Sequence, residues 1–272
     1  MLTHIQKMHD YLYASYLGIL RALGGLPLEH PFDYIKTQQQ ITNASAREVI
    51  RTTWVNHGMQ KFYSGFTPSI LRTCFKQAYR FPMMVSVPRM YRPFAKENAA
   101  QALAGLSIAI FESFIICPFE RLKVWLMSRP KGEPISSKLL WSLLRGLQPV
   151  MLKQTVSWST FMVSNSYFRR QFKKHRQEQD LSYSSIAGIS VLVGITNTAA
   201  TMPLDCVKSR IQSYGDTHVS IRAILQEMLS DKQGWKSKMK VLYLGWPARM
   251  CQFLVHAGMT VSVLETLEKA TN

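Results

Sequence analysis

The chain has 272 residues, 47% of them apolar and 18% charged, and a formal net charge of +17 at pH 7. That length allows one or two soluble domains or one membrane domain of several spans, and so basic a balance calls for anionic company: nucleic acid, acidic lipid or an anionic small molecule. Cys74, Cys117, Cys206 and Cys251 are scattered with no CxxC pair, and no GxxxxGK[ST], GxGxxG, HExxH or GxSxG occurs, so no cofactor, metal site or familiar enzyme class is indicated.

The opening segment MLTHIQKMHDYLYASYLGIL is neither Arg-rich nor built like a cleavable secretory signal, which leaves any membrane address to the mature chain. An apolar stretch, Leu12–Leu28, runs into PFDYIKTQQQ, where Pro31 is followed by Asp33, Lys36 and Gln40. The connector SAREVIRTTW reads as an amphipathic interfacial helix. FYSGFTPSILR, with Gly65, Pro68 and Arg72, then opens a second apolar stretch, Phe66–Val87. The third, Ala99–Cys117, ends in PFERLKVWLM, with Pro118, Glu120 and Lys123. The next connector, SRPKGEPISSK, is too short for a comparable helix. LLRGLQPVMLK, with Gly146, Pro149 and Lys153, opens Leu147–Phe168, and Ile186–Met202 ends in PLDCVKSRIQ, with Pro203, Asp205, Lys208 and Gln212. SIRAILQEML is a second amphipathic connector, and YLGWPARMCQ, with Gly245, Pro247 and Arg249, opens the last stretch, Trp246–Leu267.

Proline, an acid at +2 and a base at +5 therefore recur three times, with the prolines 87 and 85 residues apart. One match is weak, because acid and base three apart form common helix-surface pairs; three at nearly equal period are a repeat. Each apolar stretch is near the roughly 20 residues that span a hydrocarbon core. Arg21, Arg80, Glu112 and Asn197 within them belong against a water-filled cavity or another helix. Gly18, Gly24, Gly25, Ala104, Gly105, Gly188 and Gly194 suit close helix approach. At about 100° per residue, the +2, +5 and +9 positions share one helix face, and the proline can bend the helix inward. The plainer alternatives are a soluble helical bundle with local, solvated i,i+3 pairs, or a basic nucleic-acid-binding protein, which fractionation would separate from a membrane protein.

With three such motifs, the sequence resembles the mitochondrial carrier family from about Tyr11 to Glu268. The resemblance implies an all-α membrane protein: six transmembrane helices in three pseudo-symmetric repeats (approximately 10–95, 96–175 and 180–270) around a central cavity, a single domain over 1–272. It implies that Asp33 meets Lys123, Glu120 meets Lys208 and Asp205 meets Lys36, closing the matrix side, with Gln40 and Gln212 as braces and Pro31, Pro118 and Pro203 as kinks. The usual second base is replaced by Gln38 in the first motif and Trp125 in the second, and Met127 stands where the second brace belongs. The family's second, cytosolic gate is poorly matched: VSVPRMYR and SNSYFRRQ offer bases without acids, and LETLEK keeps Glu265. A weak cytosolic gate is expected.

Between the gates lies the expected substrate site, with Arg72, Lys76, Arg80, Lys153, Gln154, Arg249 and Gln252. Cations there without acidic partners imply an anionic ligand, and arginine offers a fork for phosphate or carboxylate. Lys153-Gln154 resembles the pair that accompanies keto acids, whereas RTCFKQAYRF stacks three cations and resembles a stretch of adenine nucleotide carriers. The reading leans to a nucleotide or other phosphorylated metabolite, with a keto acid or carboxylate as the alternative. The glycine turns at Gly65, Gly146 and Gly245 resemble the family's cardiolipin sites, where helix N-termini receive phosphate. The resemblance further implies a monomeric, multi-pass transporter of the mitochondrial inner membrane, not an enzyme, with a small anionic substrate and membrane lipids as partners and no nucleic acid. Whose mitochondria is left open, since a diverged carrier of an intracellular pathogen would be delivered to its host's. A carrier-derived scaffold that does not transport is a further alternative, and the survival of all six ring charges argues against it.

Overall fold

The computed structural model describes residues 2–129, 143–144, 146–176, 183–213, 220–230 and 234–271. Those residues contain no strand. Six long helices dominate: α1 (Leu2–Thr42), α3 (Phe66–Tyr91), α4 (Glu97–Ser128), α5 (Leu147–Arg176), α6 (Tyr183–Ser213) and α9 (Trp246–Thr271). Among the described residues three shorter α-helices lie between them: α2 (Ala46–His57), α7 (Ile221–Ser230) and α8 (Trp235–Leu242). The long helices pack in chain order, α1 on α3, α3 on α4, α4 on α5, α5 on α6 and α6 on α9, and α9 returns to α1, so they form a closed ring.

The signature prolines do not end their helices. Pro31 lies inside α1, Pro118 inside α4 and Pro203 inside α6, and each helix continues beyond its proline through the charged motif. The backbone bond that proline removes is tolerated because neighbouring helices hold the segments that follow. Asn43 ends α1 in the left-handed conformation (φ 59°), its amide donating to the Gln39 carbonyl at 2.9 Å.

Among the described residues two helices are long and apolar enough by composition to cross a membrane: Ala99–Ser128, mean hydropathy 1.9, and Ser185–Ser213, mean hydropathy 1.4. Helix α3 turns Arg72, Lys76 and Arg80 toward a central cavity, and such charges depress the mean hydropathy of a segment.

Both amphipathic connectors are helical. Ser45 caps α2 by accepting the Glu48 amide at 3.3 Å, and the helix buries Val49 and Thr53 while leaving Trp54 and Val55 exposed. Helix α7 buries Ile224 and Met228 against Cys206, Val207, Ile211 and Val241. The second connector falls mostly outside the described residues, as do the side chains of Arg21 and Glu265.

The small residues divide. A Cβ on Gly105 would lie 3.2 Å from the Ser159 amide nitrogen, and one on Gly194 would lie 2.7 Å from the Phe253 ring, so these two do permit close helix approach. Gly188 has nothing within 4 Å of such a Cβ and serves no close contact there.

Candidate functional site

The continuation of α1, α4 and α6 beyond their prolines brings three acids and three bases to one end of the ring. Lys36 Nζ lies 2.6 Å from Asp205 Oδ2, Lys208 Nζ lies 2.9 Å from Glu120 Oε2, and Lys123 pairs with Asp33 Oδ2. Each acid thus meets the base of a neighbouring repeat, and the intrahelical Lys208–Asp205 distance is longer, at 3.9 Å. All three lysines are buried, and Asp205 is 1% exposed. Such burial costs desolvation that the pairing only partly repays, so the pairs constrain geometry more than they add stability.

Two of the three glycine turns, those that open α3 and α9, press directly on this ring. Gly65 (φ 78°) sits where a Cβ would come 3.0 Å from the Lys123 carbonyl oxygen, and Gly245 (φ 86°) where it would come 3.3 Å from the Lys36 Cα. The left-handed backbone and the missing side chain are both required. Gly146 (φ 84°) approaches only the side chains of Gln212 and Ile211.

The two glutamines differ. Gln40 accepts from Ser209 Oγ at 2.8 Å and donates to the Leu244 carbonyl at 3.5 Å, which ties α1 to the third repeat instead of bracing an ion pair. The Gln212 amide is buried with no hydrogen-bond partner among the described residues. A regularity missing from the sequence reading appears at the +7 positions. Gln38 Nε2 donates to the Met127 carbonyl at 2.7 Å, and Arg210 Nε donates to the Gln40 carbonyl at 2.9 Å. In both, the residue seven after the proline of one helix bonds the backbone nine after the proline of the next. Trp125 occupies the remaining +7 position, where the Arg129 guanidinium lies over its ring.

Above the ring lies a cavity of about 770 Å³ that runs from Asp33, Lys123 and Lys208 to Asn165 and Arg169, toward the far end of α5. The expected substrate residues Arg72, Lys76, Arg80, Lys153, Gln154, Arg249 and Gln252 all line it. Their pairing departs from expectation. Arg72 reaches Glu120 at 3.5 Å, Lys76 reaches Glu112 at 3.0 Å, and Lys153 reaches Asp205 at 2.9 Å and Glu120 at 4.0 Å. Two acids of the ring, Glu120 and Asp205, therefore serve the cavity as well, each shared by more than one cation, while Asp33 pairs with Lys123. Arg80 instead lies over the rings of Trp158 (5.0 Å) and Phe161 (5.7 Å), and Arg249 lies over Phe253 and donates to Gln252. Neither has a carboxylate within ion-pair distance among the described residues.

Other polar groups on the wall had no signal in the repeat. Glu29 meets His256 at 3.1 Å, and Asn197 Nδ2 donates to Ser157 Oγ at 3.2 Å. Two residues before the other signature prolines stand Ile116 and Thr201, so no periodicity marks Glu29. At the far end, Tyr91 bonds Ser107 at 2.7 Å, Ser166 donates to Gln101 at 2.7 Å and Arg169 donates to Asn165 at 3.1 Å. These are contacts among neutral groups or of a cation with an amide.

The family model for mitochondrial carrier protein matches residues 10–93 and 179–272, which together make up more than half of the chain. Among curated proteins, the chain is similar to mitochondrial citrate transporter D of Aspergillus niger, at 25% identity over 78% of both chains. It is similar to the tricarboxylate transport protein of Saccharomyces cerevisiae, at 21% identity over 97% of this chain and 95% of that one. A probable mitochondrial 2-oxodicarboxylate carrier of Dictyostelium discoideum is 26% identical over 75% of this chain and 72% of its own.

Proposed function

This chain belongs to the mitochondrial carrier family, and from that premise we propose that it carries a small di- or tricarboxylate anion across the mitochondrial inner membrane. Transport proceeds by alternating access, with the six long helices as spans in three repeats and the Asp33, Lys36, Glu120, Lys123, Asp205 and Lys208 ring as the matrix gate. The chain works as a monomer, and the turns at Gly65, Gly146 and Gly245 receive lipid phosphate.

One observation carries the substrate class: cations outnumber acids in the cavity. Asp205 is shared by Lys36 and Lys153, Glu120 by Lys208 and Arg72, and Arg80 and Arg249 lie over aromatic rings with no carboxylate within ion-pair distance among the described residues. An excess of positive charge in a site of low dielectric is neutralised by an anion of more than one charge. The lean to a nucleotide draws on the stack of Arg72, Lys76 and Arg80 and on the likeness of RTCFKQAYRF to a stretch of adenine nucleotide carriers. Two of the three are partnered by Glu120 and Glu112, which leaves less charge for a polyphosphate. The relatives named for citrate, tricarboxylates and 2-oxodicarboxylates favour the carboxylate alternative.

Thermal shift of the purified carrier tests this. A ligand that binds only the folded protein at a hundredfold its Kd adds about 2.7 kcal/mol of stability. Citrate or 2-oxoglutarate raises the melting temperature, and Arg80→Ala and Arg249→Ala each reduce that shift. A shift with ATP or with arginine, and none with either carboxylate, refutes the reading.

A further inference from the structure

Glu112 is the most deeply buried acid beside the cavity, with 0% of its side chain exposed, yet it belongs to no signature motif and lies behind the cavity wall. One carboxylate oxygen holds Lys76 Nζ at 3.0 Å, and the other accepts the indole N–H of Trp158. Trp158 reaches it because Gly105, two turns before Glu112 on α4, lets the α5 backbone approach closely. The outer face of the same indole carries Arg80, 5.0 Å from the ring centroid. Lys76, Glu112, Trp158 and Arg80 are thus one cluster drawn from α3, α4 and α5.

A carboxylate buried in a membrane domain is retained at a cost, and this one neutralises a lysine that the cavity displays to its ligand. We propose that Glu112 is a specificity-determining residue: a fixed internal anion that subtracts one charge from the Lys76–Arg80 pair and so sets how many carboxylates the cavity accepts. With Glu112 in place, the Lys76–Arg80 pair carries a net charge of one, Arg80 being the member without an ion-pair contact among the described residues, and the wall receives one carboxylate. Without it, Lys76 and Arg80, one helical turn apart on α3, act as two cations and draw a more highly charged ligand. This inference rests on the carboxylate reading.

The test is competition between citrate and succinate for uptake by reconstituted protein, in Glu112→Gln, Lys76→Gln and the double variant. Glu112→Gln moves the citrate-to-succinate ratio of apparent affinities toward citrate by about tenfold, the effect of one charge acting across roughly 10 Å at an effective dielectric of about 20. Lys76→Gln, which leaves the acid and removes the base, moves it the opposite way, and the double variant returns close to wild type. If Glu112→Gln does not insert, the sign of the Lys76→Gln shift decides. Slower uptake in both single variants with an unmoved ratio assigns Glu112 a structural role and overturns the inference alone. Wild-type protein that takes up neither anion overturns the carboxylate reading together with it.

Discussion

Asp205 answers to Lys36 at 2.6 Å and Lys153 at 2.9 Å, with Lys208 farther off at 3.9 Å, and it does so at 1% exposure. Removing one partner of such a pair costs about 3–5 kcal/mol, because the other charge is left buried and alone. Asp205→Lys therefore abolishes uptake, and adding Lys36→Asp restores the matched signs. Recovery is partial, because Lys153 then faces a new lysine and keeps only Glu120, 4.0 Å away. Equal loss in the single and double variants, with normal insertion, contradicts the pairing. At this scale the sequence is a good guide to ring residues and a poor one to their neighbours. The acids and bases recur with the repeat, so their positions are legible. In the sequence Lys153 and Arg72 look like cations awaiting a ligand, because nothing in the linear pattern shows that Asp205 and Glu120 turn a second oxygen toward them.

The three signature helices are alike in chain pattern and unlike in how their ends are joined. Gln38 ties α1 to α4 through the Met127 carbonyl, and Arg210 ties α6 to α1 through the Gln40 carbonyl. At the α4–α6 seam Trp125 stands in the donor's place, and the nearby Gln212 amide is buried without a partner among the described residues. Among the described residues that seam shows the Lys208–Glu120 pair and no tie from a +7 side chain to a +9 carbonyl like the other two. Trp125→Arg supplies the missing donor. A net gain of about 1 kcal/mol for one buried hydrogen bond corresponds to a rise in Tm of about 2–4 °C and to slower exchange through a tighter gate. An unchanged or lower Tm contradicts the assignment. The substitution at Trp125 was visible in the sequence as a departure from the motif. Its consequence was not, because the acceptor is a backbone carbonyl of another repeat, and carbonyls leave no trace in side-chain identity.

Across the whole molecule, charge is distributed unevenly between the two ends of the cavity. One end carries the paired ring; toward the other, Tyr91, Ser107, Gln101, Ser166, Asn165 and Arg169 make hydrogen bonds without a carboxylate. The all-helical fold is legible because three motifs at a nearly constant period mark three similar helices, with apolar stretches between them. The cavity's selectivity was less so, since it depends on which cations are already satisfied, a property of packing between helices far apart in the chain. On the proposed mechanism, contacts that among the described residues are neutral or cation–amide stabilise a closed state less than a ring of ion pairs would, so outward turning is expected even without a counter-substrate. The most direct measurement is initial uptake of labelled citrate, 2-oxoglutarate, ATP and arginine into proteoliposomes, either empty or loaded with the same compound. The account predicts entry of a carboxylate into both kinds of vesicle, faster into the loaded ones, with ATP and arginine excluded. Entry of ATP or arginine with no uptake of either carboxylate would contradict it.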